Sequence, residues 1–353
     1  MISYPETEQF RTVISHVTRD TRRLEEDQQK PLPSLTFTGT VKLHGTNSAL
    51  VYQKDGVPRC QSRNNVLAPG KDNAGFYQEM NPIADRFFAE FVLPRSSAIR
   101  EEYEQGRTVV IYGEWCGAAI QPGVAIHGLP KMFVIFNVRI RDETIAIPED
   151  EDEETDERRT MNDKTRFWLE PKEWSEVKWP EQSIYNIYDF PTYNITIDFN
   201  NPKLSQNELI KITEQVERQC PVGSHFGKSG IGEGVVWTEW AETRGGLRFK
   251  VKGEEHSVSK VKTLAPVDTE KLANMEEFIE YACTENRMRQ GLDYLREQQL
   301  TLEMKNVGTF LKWLSNDIIK EEKDTMQQSN IDSKDVMRAV SNKARRWFQL
   351  NLV

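Results

Sequence analysis

The hydrophobic residues of this chain follow two different patterns, and the change between them falls near Ala265 and Pro266. Before that point, short apolar runs at 109–112, 132–138 and 234–237 are typical of β-strands. After it, apolar residues recur every three or four positions, which is typical of amphipathic helices. We therefore predict an α+β fold, with a sheet-containing domain at 1–262 followed by an all-helical domain at 263–353.

Composition narrows the classes of protein to which the chain can belong. Its 353 residues are 37% hydrophobic and 29% charged, which is enough for a substantial core in two domains. The net charge of −9 argues against nucleic-acid binding through overall basicity, so such a contact requires a local basic surface. The N-terminus has no apolar signal segment, and no apolar run approaches the roughly 18 residues of a membrane span. We expect no membrane association.

The cysteines indicate a reducing environment. Their spacing matches neither a zinc site nor a disulfide framework, and they are Cys60, Cys116, Cys220 and Cys283. Free thiols are typical of intracellular proteins. We therefore expect a cytoplasmic location.

Several segments have patterns that indicate helices and loops. Residues 5–29 carry apolar side chains at helical spacing, and 64–82 are rich in Asn, Gly and Pro, which predicts a loop. A helix through 87–92 is expected to follow. The acidic run at 149–154 predicts a solvated loop, because like charges in a row repel one another.

Three segments predict strands or turns that bear on chemistry. Residues 54–56 are typical of a hairpin turn, and the apolar run at 109–114 predicts a buried strand with Glu114 at its end. The segment 247–252 alternates strictly between apolar and basic residues. In a strand this places Lys250 and Lys252 on the same face, although such a face is also typical of solvent-exposed lysines.

Lys42 lies in the stretch 41–48, at a break between two β-prone segments, and Gly45 follows it closely. A lysine at such a break can direct its amine into a pocket. A desolvated amine, or one beside other cations, loses its proton near neutral pH and can act as a nucleophile. The same pattern also fits a solvated lysine at a hairpin turn.

The residues around Lys42 resemble those of a known family. The stretch 42–47, Lys-Leu-His-Gly-Thr-Asn, resembles motif I of the covalent nucleotidyltransferases, and specifically of the nick-sealing branch of ATP-dependent RNA ligases. That branch comprises the RNA ligase 2-like and RNA-editing enzymes. Further motifs of the family follow in the same order: Arg63, then 112–115 (motif III), 133–137 (motif IIIa), 232–236 (motif IV) and 249–252 (motif V). Their joint order makes the resemblance specific, since each motif alone is a weak signal.

The resemblance implies a fold and a reaction. The expected fold is the antiparallel-sheet nucleotidyltransferase domain, an ATP-grasp-like ligase domain, followed by a helical C-terminal domain. The expected reaction seals RNA 3′-OH and 5′-phosphate ends, with a preference for nicks in duplex or bridged RNA. In this family a lysine takes AMP from ATP, the AMP moves to the RNA 5′-phosphate, and the 3′-hydroxyl then displaces AMP. The implied cofactors are ATP and Mg²⁺ or Mn²⁺, the partner is RNA, and no obligate protein partner is evident.

Matched position by position, the resemblance also assigns roles to residues. Lys42 would be the nucleophile, and Lys250 and Lys252 would neutralise charge that gathers on phosphoryl oxygens. Glu233 would hold a divalent ion through its waters, and Glu114 is also expected at the metal and at a ribose hydroxyl. Phe136 would stack on adenine. The full set expected to bind the nucleotide is Lys42, Leu43, His44, Asn47, Arg63, Glu114, Phe136, Lys250 and Lys252.

Three positions depart from the family pattern. Val41 precedes the nucleophile where relatives often have an acid, and Asn137 stands where motif IIIa usually has Asp. Thr238 occupies a position after motif IV that is often Lys or Arg. None of these departures removes the nucleophile, so activity is still expected.

Three other functions remain open as alternatives. A DNA ligase or an mRNA-capping guanylyltransferase uses the same chemistry, but both usually have Asp where this chain has His44, and an OB barrel where helices are predicted. A nucleic-acid-binding protein that has lost catalysis is the alternative from another class. The tail could help to engage RNA through a basic face at Lys343, Arg345 and Arg346, although these side chains also fit a solvated helix end.

Overall fold

The computed structural model describes residues 1–24, 31–54, 56–118, 120–142, 166–256 and 275–352. Strands and helices up to Val251 share one large hydrophobic core, and the helices from Phe278 to Phe348 form a second core of their own. The predicted α+β fold with a helical C-terminal region is confirmed. The acidic run at 149–154 and the predicted boundary at 262/263 lie outside the described residues, so the boundary stays a prediction.

The strands of the described residues form two sheets. Their bounds are β1 Glu8–Gln9, β2 Ser34–Lys42, β3 Thr46–Tyr52, β4 Arg59–Ser62, β5 Thr108–Cys116, β6 Met132–Arg141, β7 Arg166–Trp168, β8 Ile184–Asn186, β9 Thr192–Asp198, β10 Gly234–Glu239 and β11 Arg248–Lys252. The first sheet has the order β1-β11-β10-β2-β9, and the second has the order β4-β3-β5-β6-β7, with β8 paired to β6. Neighbouring strands are antiparallel, except that β1 runs parallel to β11 and β8 parallel to β6.

The helices of the described residues divide between the two cores. Those before residue 257 are α1 Phe10–Leu24, α2 Phe76–Met80, α3 Ala84–Phe87, α4 Ser97–Glu104, α5 Pro171–Trp174, α6 Gln206–Arg218 and α7 Pro221–His225, with a π-helical turn at Phe88–Val92. The C-terminal bundle consists of α8 Met275–Ala282, α9 Glu285–Glu297, α10 Val307–Glu321, α11 Lys323–Gln328 and α12 Ser333–Leu350. Asp332 caps α12, because its side chain accepts a hydrogen bond from the backbone N–H of Lys334 at 2.7 Å.

Strand β11 shows how the alternating sequence produces two different faces. Phe249 and Val251 are buried in the large core, while Lys250 and Lys252 lie on the opposite face. The third basic residue of the strand, Arg248, is also nearly buried, because its guanidinium stacks 3.9 Å from the ring centre of Trp168. Strand β11 therefore directs two lysines toward a cavity, while its third basic side chain, that of Arg248, packs on Trp168 and is not solvated.

Two local predictions need correction. Helix α2 begins at Phe76, inside the segment 64–82 that its composition predicts to be a loop. The carboxylate of Asp72 accepts hydrogen bonds from the first backbone N–H groups of this helix, including Tyr77 N at 2.6 Å, and so stabilises an early start. Glu114 does not end its strand, since β5 continues to Cys116. The predicted hairpin between β3 and β4 is confirmed, although Asp55 at its tip lies outside the described residues.

Buried charged groups join the helical bundle to the first part of the chain. Arg11 of α1 pairs with Glu322 at 2.9 Å, and Gln9 donates to Glu321 at 2.8 Å. Arg287 of α9, fully buried, contacts the same two carboxylates at 3.0 and 3.2 Å. Paired charges of this kind are costly to separate, so the bundle is held against β1 and α1.

Within the part of the chain that the structure describes, no helix combines the length and the apolar character needed to cross a bilayer.

Candidate active site

A cavity of about 540 Å³ lies between the two sheets and the helical bundle. Every residue that the sequence predicts for the site lines it: Lys42, Leu43, His44, Asn47, Arg63, Glu114, Phe136, Glu233, Lys250 and Lys252. These positions are far apart in the chain and are brought together by strand pairing. Their individual roles stay predictions, but their convergence on one cavity is a property of the structure.

Strand register places the lysines of one wall side by side. In the first sheet, Gly234 of β10 pairs with Lys42 of β2 on one side and with Lys252 of β11 on the other. Gly234 has φ +151°, and a Cβ there would lie 2.1 Å from the carbonyl oxygen of Val251. Only glycine fits this position, which explains why Gly follows Glu233 at the start of β10.

Glu233 is the centre of the charged cluster. Its carboxylate contacts Lys42 Nζ at 2.6 Å, Lys252 Nζ at 3.1 Å and His44 Nδ1 at 3.5 Å, and the side chain is 2% exposed. Burial by itself would raise the pKa of Glu233, but the charges of Lys42 and Lys252 hold it well below its usual value. Glu233 is therefore ionised at neutral pH and fixes the two amines at one end of the cavity.

A second histidine supports this end of the cavity. The ring of His256 lies 5.4 Å from that of His44 in an edge-to-face arrangement. Burial lowers the pKa of His256 to about 4, so this imidazole is neutral at neutral pH. Its position directly after β11 brings it close to the cluster, and the sequence motifs do not indicate it.

Glu114 lies opposite, on the second sheet. Its strand neighbour across the ladder is Asn47, and its Oε1 accepts a hydrogen bond from Gly45 N at 2.9 Å. Burial raises the pKa of Glu114 to about 7, and Glu233 adds to the effect while Lys42 opposes it. A Cβ on Gly45 would lie 2.4 Å from the carbonyl oxygen of Trp115, so the turn after the nucleophile must be glycine to approach β5.

A β-bulge exposes Phe136 to the cavity. The register between β5 and β6 shifts between Tyr112 and Gly113, which pair with Asn137 and Ile135 and leave Phe136 as the extra residue. Such a bulge changes the direction of a side chain relative to regular alternation. Gly113 permits the close approach, because a Cβ there would lie 2.4 Å from the ring of Phe133.

The helical bundle forms part of the cavity wall, which the sequence does not predict. Its contribution is mostly polar and acidic: Gln290, Asp293, Tyr294, Gln298, Trp313, Asp317 and Glu321. Glu321 contacts Lys250 Nζ at 3.0 Å. Burial opposes the charge of Lys250, but this carboxylate raises its pKa above the usual value. Helical spacing identifies the buried faces of these helices but not which exposed residues face a distant lysine.

The N-terminal segment also reaches the cavity, and sequence reasoning missed it. Ile2 exchanges backbone hydrogen bonds with the side chain of Gln61, and Tyr112 Oη donates to the carbonyl oxygen of Ile2 at 2.9 Å. These bonds place Tyr4 in the cavity lining. The alternation of Ile2 and Tyr4 with polar residues was a signal for an extended, half-buried segment.

The three departures from the family pattern are placed as follows. Val41 is buried in the large core and also borders the cavity, where it brings no charge. Thr238 and Asn137 both line the cavity and are nearly buried. Asn137 Nδ2 donates to Tyr4 Oη at 3.0 Å, a contact that the N-terminal segment makes possible.

The carboxylates of the site are better suited to binding a hydrated cation than to surrounding a metal ion with protein ligands alone. Among the described residues, no group of three or more His, Cys, Asp or Glu side chains is arranged to hold a metal ion. Magnesium usually keeps several waters and binds through one or two carboxylates and the phosphates of a substrate. Glu114 and Glu233 at the lysine-rich end of the cavity fit that requirement.

Comparisons with known proteins identify the family of the chain. A family model described as RNA ligase matches residues 35–252, which is more than half of the chain. No curated protein matches the sequence.

Among solved structures, the chain is similar to variants of the Naegleria gruberi RNA ligase. One, solved with ATP and manganese, has 15% sequence identity and a TM-score of 0.40, over 72% of this chain and 56% of that chain. Another, solved with AMP and manganese, has 14% identity and a TM-score of 0.39 over the same shares of the two chains. The chain thus spans little more than half of the length of the solved ligases that it matches.

Proposed function

Because the chain belongs to the RNA ligase family, we propose that it uses ATP to join RNA 3′-OH and 5′-phosphate ends through lysyl-AMP and RNA-adenylate intermediates. The observation that carries this proposal is the contact of Lys42 with Glu233, which also holds Lys252, at one end of a nucleotide-sized cavity. Nucleotidyl transfer requires a nucleophilic amine, an acid and a second cation close together.

In the first step, the Lys42 nitrogen attacks the α-phosphorus of ATP. The N–P bond forms, the bond between the α-phosphorus and the bridging oxygen breaks, and pyrophosphate leaves with the electron pair. The attacking amine must lose a proton, which passes to solvent, because the lowered pKa of Glu233 makes it a weak base; the hydrogen bond from Lys42 to this carboxylate instead orients the amine. Lys252, and Lys250 once it exchanges Glu321 for phosphate, would stabilise the charge that develops on the phosphoryl oxygens.

The same cations would serve the later steps. An oxygen of the RNA 5′-phosphate attacks the phosphorus of the lysyl-AMP, the N–P bond breaks, and RNA-adenylate forms as the Lys42 amine leaves. The 3′-hydroxyl then loses its proton and attacks that 5′-phosphate, and AMP leaves. Both transfers pass through a phosphoryl group with developing negative charge, as the first does. Phe136 would stack on the adenine, and Glu114 would accept a hydrogen bond from a ribose hydroxyl. A bound magnesium or manganese ion would supply positive charge to the phosphates, and Glu114 and Glu233 are the residues that would hold it.

The nick-sealing specificity is part of the proposal and depends on the helical bundle. The bundle has its own core and lies beside the cavity, where duplex RNA would have to enter. Its expected basic face is smaller than the sequence suggests, because Lys343 pairs with Glu280 at 2.7 Å, while Arg345 and Arg346 are exposed. Duplex recognition would therefore require residues beyond this short basic segment.

Labelling with nucleotide tests the proposal. Wild-type protein incubated with α-labelled ATP and magnesium should become covalently labelled, whereas labelled GTP should give no signal. Lys42→Ala should abolish the label, because Lys42 is the proposed nucleophile. Lys54→Ala is the matched control, since this exposed lysine donates to the carbonyl oxygen of Glu104 and is not among the residues that line the cavity.

Each outcome separates the alternatives. Label from GTP would indicate a capping-type guanylyltransferase, and no label from either nucleotide would indicate a binding protein without catalysis. Label that persists in Lys42→Ala would contradict the assigned nucleophile. Sealing of nicked RNA duplex, compared with nicked DNA and single-stranded RNA, would then decide the polynucleotide substrate.

A further inference from the structure

Three arginines lie together beside Trp168, at the end of strand β11 that is farther from Lys42. The guanidinium carbon of Arg248 lies 3.9 Å from the ring centre of Trp168, and that of Arg139 lies 4.9 Å from it. Arg141 follows two residues after Arg139 in β6 and so lies on the same face of the second sheet. The reaction steps above give this arginine cluster (Arg139, Arg141 and Arg248) no role.

The positive charges of the arginine cluster are not balanced within the part of the chain that the structure describes. There, no carboxylate forms an ion pair with any of the three guanidinium groups, and their Nε–H groups are buried without an acceptor. Burial lowers the pKa of Arg139, and the charges of Arg248 and Arg141 add to this effect while Tyr112 opposes it. Arginine nevertheless stays protonated, so the cluster keeps its charges. Like charges in a partly desolvated place are costly unless an anion joins them.

The exposure of the cluster indicates how an anion would reach it. Arg139, Arg141 and Trp168 are partly exposed, whereas Arg248 is 6% exposed. Because the Nε–H groups are buried, contacts would come from the terminal nitrogens of the two partly exposed arginines. Stacking on Trp168 restricts Arg139, and Arg248 is held because its Nη1 donates to Tyr4 Oη at 2.8 Å. Planar guanidinium groups match the oxygens of a phosphate, and restricted ones lose less side-chain entropy on binding.

The distance of the cluster from the reacting amine excludes a role for it in the transfer itself. Lys252 and Arg248 are at opposite ends of β11, and Lys252 is at the end beside Lys42. At about 3.3 Å per residue, the two ends of this strand are roughly 13 Å apart. The cluster would therefore not meet the phosphorus that reacts with Lys42. It would meet a phosphate further along the same RNA.

We propose that the arginine cluster binds a backbone phosphate of the RNA substrate through Arg139 and Arg141, while Arg248 adds positive charge behind them. The net charge of −9 means that RNA binding needs a local basic surface. The C-terminal basic segment supplies little of it, because Lys343 pairs with Glu280. The cluster provides such a surface beside the strands of the site. The inference rests on the proposed function in taking RNA as the polyanion.

The salt dependence of RNA binding tests the inference, because each phosphate that the protein neutralises releases counterions. Fluorescence anisotropy would measure the affinity for a labelled, nicked RNA duplex with a 5′-phosphate at the nick, in the presence of a chelator and without ATP. The measurement would be repeated from about 50 to 200 mM salt. The double variant Arg139→Gln/Arg141→Gln should bind about 10-fold more weakly near 100 mM salt. Its slope of log Kd against log salt concentration should be smaller by about one to two units.

Three further variants make the test selective. Arg141→Gln alone leaves the stacking of Arg139 and Arg248 on Trp168 in place, so it serves if the double variant does not fold, and its slope should be smaller by about one unit. Arg139→Lys/Arg141→Lys retains both charges and should keep most of the wild-type slope, which a purely structural role of the arginines would not produce. Arg218→Gln is the matched control, since Arg218 is exposed at the end of α6 and should leave the slope unchanged.

Several results would overturn the inference. These are a wild-type slope in folded Arg139→Gln/Arg141→Gln or in Arg141→Gln, loss of the slope in the lysine variant, an equal change in Arg218→Gln, or no binding of the RNA by wild type. Inorganic phosphate that binds wild type in calorimetry while the RNA slope stays unchanged in the variants would indicate a site for a free anion instead.

The outcome can be separated from that of the proposed function, because this binding needs no ATP. Covalent labelling of wild type by ATP together with an unchanged slope in the glutamine variants would reject the role of the cluster and leave the ligase proposal intact. A slope that depends on these arginines, without covalent labelling, would support RNA binding by the cluster and reject the ligase chemistry.

Discussion

The burial of Glu114 predicts both the sign and the size of a change in folding stability with pH. Burial raises its pKa to about 7 in the folded protein, from 4.5 in an unfolded chain. Between these two values the folded state binds more protons than the unfolded state, so stability falls as the pH rises. Above pH 7 the full penalty applies, and at 1.36 kcal/mol per unit it amounts to about 3 kcal/mol.

The substitution Glu114→Gln removes this penalty while its oxygen can still accept the hydrogen bond from Gly45 N. At pH 8 the variant should be more stable than wild type by up to about 3 kcal/mol. Near pH 4.5 the difference should vanish, because wild-type Glu114 is then protonated in the folded state. A metal-binding or catalytic residue often costs stability in this way.

Urea unfolding of wild type and variant, from pH 4.5 to 8.5 in the presence of a chelator, would measure the difference. Comparing the two proteins at each pH cancels the titration of groups that do not interact with Glu114. Glu90→Gln is a suitable control, since Glu90 is exposed and pairs with Arg86 on the same helical segment. A stability difference that stays constant across this range, or that favours wild type as the pH rises, would refute the reasoning.

Three further substitutions test the packing and charges around the cavity. Gly113→Ala would bring a methyl group against the ring of Phe133 and should lower stability by about 1–3 kcal/mol in urea unfolding, so an unchanged midpoint would contradict the close contact. Glu321→Gln should lower stability by about 1–3 kcal/mol at pH 7, because Lys250 and Arg287 lose a shared anion. Their charges hold the pKa of Glu321 below its usual value despite its burial. The loss of stability in Glu321→Gln should therefore be complete above about pH 4.5 and should shrink as the pH falls further. A loss that does not depend on pH would argue against the ion pairs. Arg287→Met leaves carboxylates buried without their partner and should cost about 3–5 kcal/mol in the same assay, whereas a neutral effect would show that the network is dispensable.

The chain's local patterns were sufficient for the strand elements of the site. Strict alternation in β11 predicts Lys250 and Lys252 on one face, because a strand has a period of two residues. The glycine in the turn after Lys42, and the glycine after Glu233, indicate positions where the backbone must approach closely, and both glycines are needed for that reason. These features are local, so they can be read from neighbouring residues.

Contacts between distant segments could not be obtained in this way. Neither the approach of Glu321 to Lys250 nor that of Tyr4 to Asn137 has a periodic signature, since each pair comes from unrelated parts of the chain. Helical spacing predicted the bundle and its buried face, but the direction of the opposite face depends on how the bundle packs against β1 and α1. The amino-acid pattern therefore determined which lysines share a strand face and that a helical domain follows. Only the tertiary structure decided that Glu321 meets Lys250 and that Tyr4 meets Asn137, because those contacts depend on packing between elements that have no fixed distance in the chain.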